Sequence, residues 1–145
     1  MENKNESMVK HVALALGIAV ALYIVSFSWI QHRRTFKGRW EVAVQSDGGG
    51  RPSLVIRQPA LAITQTLVFA GETVAPNLNV MERFGEETNQ MPFGQVIFQD
   101  PTFLPGTLTM ELFGHEVEAL PRVLIIDKKE IAWAPNGRVD VAKRN

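Results

Sequence analysis

The chain contains no cysteine. That excludes a disulfide framework, thiolate metal sites and cysteine nucleophiles, though it leaves the compartment open. Histidine is scarce as well, with three residues in 145, so few groups are available for acid–base work near neutral pH. Between Val12 and Ile30 there is no charged residue and no proline. After Ile30 no segment carries a 3.6-residue apolar period, which argues against further amphipathic helices. No internal repeat is visible.

The uncharged run, VALALGIAVALYIVSFSWI, is the strongest signal in the sequence. As a helix rising about 1.5 Å per residue it spans about 28 Å, close to the hydrocarbon thickness of a bilayer. Trp29 falls where an interfacial ring would sit. A cleaved signal peptide would have a shorter apolar core and a small-x-small cleavage site. This run instead ends in Phe27, Trp29 and Ile30 and then Arg33-Arg34, so a retained anchor is expected. The resulting division is a polar N-terminal tail (1–10), a transmembrane helix (11–31), a basic juxtamembrane linker (32–39), a β-sandwich-like domain (40–133) and an extended C-terminal tail (134–145).

Formal charge is zero overall, but its distribution is uneven. From Glu41 to Trp133 there are twelve acids against six bases, about −6. An acidic body is a poor partner for nucleic acid, whose phosphates require clustered Lys and Arg. The bases gather after the apolar run, at Arg33, Arg34, Lys37 and Arg39, as expected for contact with lipid headgroups. Counting Lys and Arg on the two flanks favours a cytoplasmic soluble domain, with a periplasmic one as the alternative; a bacterial inner membrane is the expected setting.

Beyond the linker the apolar period changes to two. Trp40, Val42 and Val44 alternate with polar or small residues, Asp47-Gly48-Gly49-Gly50 forms a turn, and Leu54 and Ile56 begin a partner strand. Further short strands are expected over 61–69, 77–84, 95–99, 107–113, 115–120, 122–126 and 131–133. In the 95–99 strand, Phe98 should share a face with Val96. Residues 86–92 read as a loop. Eight or nine short strands separated by turn signals predict an antiparallel sandwich or small barrel-like domain. Gly38-Arg39-Trp40 resembles the G-x-W that opens the first strand of lipocalins, over those three residues only. The β region is short for an eight-stranded cup, and a Trp closing one end of a small core gives the same pattern.

Chemistry is sparse. His115, Glu116 and Glu118 are the candidate metal ligands, but a helical zinc site needs a second His four residues from the first. On a strand, Glu116 and Glu118 share one face and His115 takes the other. His11 and His32 border the apolar run and are candidate contacts for a haem or pigment in a neighbouring subunit. The Gly48–Gly50 run lacks the GK[ST] ending of a phosphate loop. Ala13, Gly17 and Ala21, four apart, give the helix a small-residue side on which another helix can pack. No cofactor is expected, and the chain is expected not to be an enzyme.

The sequence therefore points to a non-catalytic accessory subunit of a larger membrane complex, with lipids and other subunits as partners. Respiratory and photosynthetic assemblies both fit. The alternative is a membrane-tethered ligand-binding or assembly-factor module, with a pocket lined by Phe93, Phe98, Phe103 and Trp133.

Overall fold

The computed structural model describes residues 2–84, 90–100 and 102–143. One long helix, α1 (Glu2–Lys37), precedes a β domain. The helix is longer than its apolar run at both ends. Residues 2–7 and Lys10 are polar but are tolerated in helices, and Lys10 pairs with Glu6 one turn back at 2.9 Å. Residues 32–37, expected as a linker, continue the helix because nothing breaks it before Gly38. Cations in this last turn also suit the negative end of the helix dipole. Met8 to Ile30 expose their large apolar side chains along the whole run, and the helix is long and apolar enough to cross a membrane.

The β domain packs two sheets face to face. Its strands are β1 (Glu41–Ser46), β2 (Pro52–Gln58), β3 (Ile63–Phe69), β4 (Asn79–Arg83), β5 (Gln90–Met91), β6 (Gly94–Gln99), β7 (Leu108–Leu112), β8 (His115–Ala119), β9 (Val123–Ile126), β10 (Lys129–Ala132) and β11 (Gly137–Val141). The first sheet runs β11-β3-β2-β1-β4 and the second β10-β9-β8-β7-β6-β5. All pairs are antiparallel except β11 with β3. The sheets do not close into a barrel.

Period-two alternation builds the core, because alternate side chains on a strand face opposite ways. Val42 and Val44, Leu54 and Ile56, and Leu67 and Phe69 face inward from the first sheet. Leu108, Met110 and Leu112, then Val117 and Ala119, face them from the second. Truncating one of these leucines to Ala costs about 2–5 kcal/mol.

One end of the domain is organised around Trp40, where the chain enters β1. The buried indole donates to the Gly106 carbonyl at 2.8 Å and stacks on Trp133 at 5.7 Å. Trp133 in turn donates to the Leu120 carbonyl. Trp40 is therefore a plug for a small core, which accounts for the three-residue lipocalin-like pattern without a cup. The fully buried Gln58 donates to the Gly38 and Arg39 carbonyls and accepts the Ala60 N–H at 2.7 Å, capping a 3-10 turn over Pro59–Leu61.

Three further expectations change, all in or after the β domain. The C-terminal tail contains β11, which adds to β3 in parallel. Gly137 permits this, since a Cβ there would meet the Gln65 side chain at 2.5 Å. Phe98 does not share a face with Val96. A β-bulge at Ile97 shifts the register, so Val96 sits opposite inward-facing Met110 but Phe98 sits opposite Thr109 on the outer face. Residues 90–91, within the expected loop, form the short strand β5; residues 86–89 lie outside the described residues.

Candidate functional site

The candidate metal ligands fall on β8, whose residues alternate between buried and half-buried. His115 points inward and is buried, whereas Glu116 and Glu118 lie on the opposite face. The three do not converge. His115 instead meets a residue that sequence spacing did not suggest: its Nδ1 lies 2.6 Å from Asp127 Oδ2. Asp127 Oδ1 accepts the Glu116 N–H at 3.1 Å, and the Asp127 N–H donates to the Glu116 carbonyl. A carboxylate only accepts, so the imidazole proton sits on Nδ1. The ring also tilts against Phe69. The signal for this pair was the turn after β9, which brings Asp127 beside the start of β8.

This end of the sandwich is aromatic. Phe113 packs between Phe69 at 5.0 Å and Phe93 at 5.4 Å. Phe93 and Phe113 both have positive φ, as do Asp127 and Lys128. Left-handed backbone suits the tight two-residue turn types that match strand twist. The aromatic contacts compensate for the cost of a bulky side chain at Phe113. Among the described residues no group of three His, Asp or Glu is arranged to hold a metal ion.

The four aromatics of the expected ligand pocket are dispersed. Phe93 stacks at the His115 end and Trp133 at the Trp40 end. Phe98 and Phe103 are exposed on the outer face and in the β6–β7 loop. A shallow groove of about 370 Å³ does lie beside β10 and β11, lined in part by Ile126, Ile131, Val139 and Asp140. None of the four contributes to it.

The most conspicuous surface lies on β6. Ile97 is 52% and Phe98 55% exposed. β5 pairs with β6 only at Gln95 and Gly94, and no further described strand borders it. The strand GQVIFQ carries no charge. Natural sheet edges are normally blunted by Lys, Pro or shortening, and the strand GQVIFQ has neither Lys nor Pro.

On the helix, His11 Nδ1 contacts the Ser7 carbonyl one turn back at 2.5 Å. His32 lies in the last turns of α1 with Arg33 and Arg34, and Arg33 stacks over Trp29 at 4.7 Å. Ala13, Gly17 and Ala21 recur every four residues on α1, and a Cβ added at Gly17 would meet nothing. Asp47, in the first hairpin, has its carboxyl held below the usual carboxylate range. The Arg51 N–H is the main cause, with the Arg51 guanidinium and the Gly49 N–H also contributing. This is turn chemistry rather than a catalytic arrangement.

Comparison with family models, curated proteins and solved structures finds no match to this chain.

Proposed function

We propose that the chain is a single-pass, non-catalytic accessory subunit of a larger membrane protein complex. In this reading α1 is a retained anchor that spans the bilayer, and the β-sandwich docks to a neighbouring subunit through the β6 edge. The observation that carries it is the exposure of Ile97 and Phe98 on an uncharged strand that, among the described residues, pairs on its β5 side only at Gly94 and Gln95. The small-residue side of α1, at Ala13, Gly17 and Ala21, would let a neighbouring membrane helix approach closely. Arg33, Arg34, Lys37 and Arg39 would meet headgroups on the side of the sandwich. The Lys and Arg count on the two flanks favours the cytoplasm for that side, with the periplasm as the alternative.

The test is gentle detergent extraction from native membranes followed by native mass measurement. The wild-type chain should travel with an assembly much larger than itself. The variant Ile97→Lys/Phe98→Glu should be released from it while keeping the same thermal unfolding profile. Migration of the wild type as a lone monomer would refute the subunit reading, and unchanged co-migration of the variant would refute the β6 interface. Gly17→Leu tests the helix contribution separately.

A further inference from the structure

The Trp40 end of the sandwich has an organisation that partner docking through β6 does not use. Two apolar loops leave this end. One is Pro59-Ala60-Leu61-Ala62, four consecutive exposed apolar residues. The other is the β6–β7 loop, where Phe103 is 69% exposed. Runs of exposed apolar residues are unfavourable in water unless something covers them.

Both loops are fastened to the same short segment. Gln58 ties the first to Gly38 and Arg39 through its buried amide. The Trp40 indole ties the second through Gly106. Gly106 is confined as well, because a Cβ there would meet the Asp100 carbonyl at 2.4 Å. The loops are therefore held in place on either side of the point where the chain enters β1.

Charge at this end complements an anionic surface. Strand register places Arg57 and Arg83 here, flanking Glu41, with Arg39 just before β1 and Arg122 in the β8–β9 loop. The described carboxylates here are Glu41, bonded to Arg83 at 2.6 Å, and Asp100, which accepts the Thr102 N–H. The opposite end mixes Asp47, Glu72 and Asp127 with Arg51, Lys128, Lys129 and Lys143, so it is not distinguished by charge alone.

Chain length restricts what can cover the loops. Only Gly38 and Arg39 separate Lys37, the last residue of α1, from Trp40. Three residue steps reach at most about 11 Å. If α1 spans the bilayer, as in the reading above on which this inference rests, the Trp40 end is tethered within reach of the headgroups.

We infer that this end is a bilayer-seating surface. Leu61 and Phe103 insert at the headgroup–acyl boundary, and Arg39, Arg57 and Arg122 bind anionic lipid phosphates around them. Apolar insertion combined with cationic contact is the usual pairing for interfacial attachment. The seat fixes the sandwich on the membrane instead of leaving it to swing on two residues.

The absence of cysteine allows single-site labelling of the full chain. Leu61→Cys, Phe103→Cys, Gly48→Cys and Val20→Cys would each carry an environment-sensitive fluorophore. The chain would be placed in phosphatidylcholine nanodiscs with and without phosphatidylglycerol. With anionic lipid, aqueous iodide should quench the labels at 61 and 103 at least about fivefold less than the label at 48, which lies on the opposite hairpin. Arg57→Glu/Arg122→Glu should bring quenching at 61 and 103 back towards that at 48. Equal quenching at 48, 61 and 103, with the label at 20 still shielded, would overturn the seat and leave the anchor standing. Free quenching at 20 would overturn both. Shielding at 61 and 103 in native membranes but not in lipid alone would assign the surface to a protein partner and overturn the lipid assignment.

Discussion

The His115 imidazole at the start of β8 and the Asp127 carboxylate in the turn after β9 meet at 2.6 Å, and Asp127 also binds the backbone at Glu116. The histidine is buried, so the contact satisfies a polar group inside the core. Asp127→Ala leaves the Nδ1–H without this acceptor and should cost about 1–3 kcal/mol. Asp127→Asn keeps an oxygen acceptor and tolerates the left-handed backbone at this position (φ 48°), so it should cost less. Urea unfolding of the detergent-solubilised chain, followed by tryptophan fluorescence, ranks the two. Equal or reversed ranking would show that the pair contributes nothing beyond turn geometry.

The neighbouring residue offers a stabilising change. Lys128 is exposed and has φ 68°, an unfavourable conformation for a side chain with a Cβ. Lys128→Gly creates the Asp-Gly sequence that such turns prefer and should stabilise the domain by about 1 kcal/mol. The check is the midpoint of the same urea transition, which should move upward with unchanged slope.

Gly94 is needed for a different reason. A Cβ there would meet the Glu111 carbonyl oxygen at 1.8 Å, so β6 approaches β7 too closely for any side chain. Gly94→Ala should cost at least about 2 kcal/mol and disrupt β5 and β6 first. Amide exchange at Val96 to Gln99 should accelerate before exchange in β8 does. Gly48→Ala, where the added carbon meets nothing, should be within about 0.5 kcal/mol of wild type.

The Asp47 carboxyl is depressed in the folded chain by the Arg51 N–H, with smaller help from the guanidinium and the Gly49 N–H. A depressed carboxylate stabilises the fold above its unfolded pKa, near 3.9. That contribution is lost as pH falls through the lower folded value. Wild type should therefore lead Asp47→Asn at neutral pH, and the gap should close in acid. Carboxyl NMR titration of Asp47 gives the folded midpoint directly. A midpoint at or above the ordinary Asp value would contradict the hydrogen-bonded geometry.

Much of the architecture was legible in the sequence because period and polarity reflect solvent. The uncharged run before Ile30 became the apolar stretch of one helix. The alternation in Trp40–Val44 and in Leu108–Leu112 specified inward faces, because a strand has only two sides. The separation of His115 from Glu116 and Glu118 followed from the same rule. The bulge at Ile97 was not legible, since one extra backbone residue leaves no mark on composition yet reverses the faces beyond it. β11 was hidden for a related reason: its residues are half-polar, and its partner β3 is far away in sequence. Asp127 as the partner of His115 depended on strand register, which side-chain type alone does not encode.

β11 also has a consequence for biogenesis. It lies beside β3 in parallel, so the flank of β3 stays bare until residues 137–141 emerge from the ribosome, long after β1, β2 and β3 have been made. During that interval the nascent sheet offers unpaired amides to any extended polypeptide nearby. Docking of the last strand therefore acts as a late latch against swapped or mispaired neighbours.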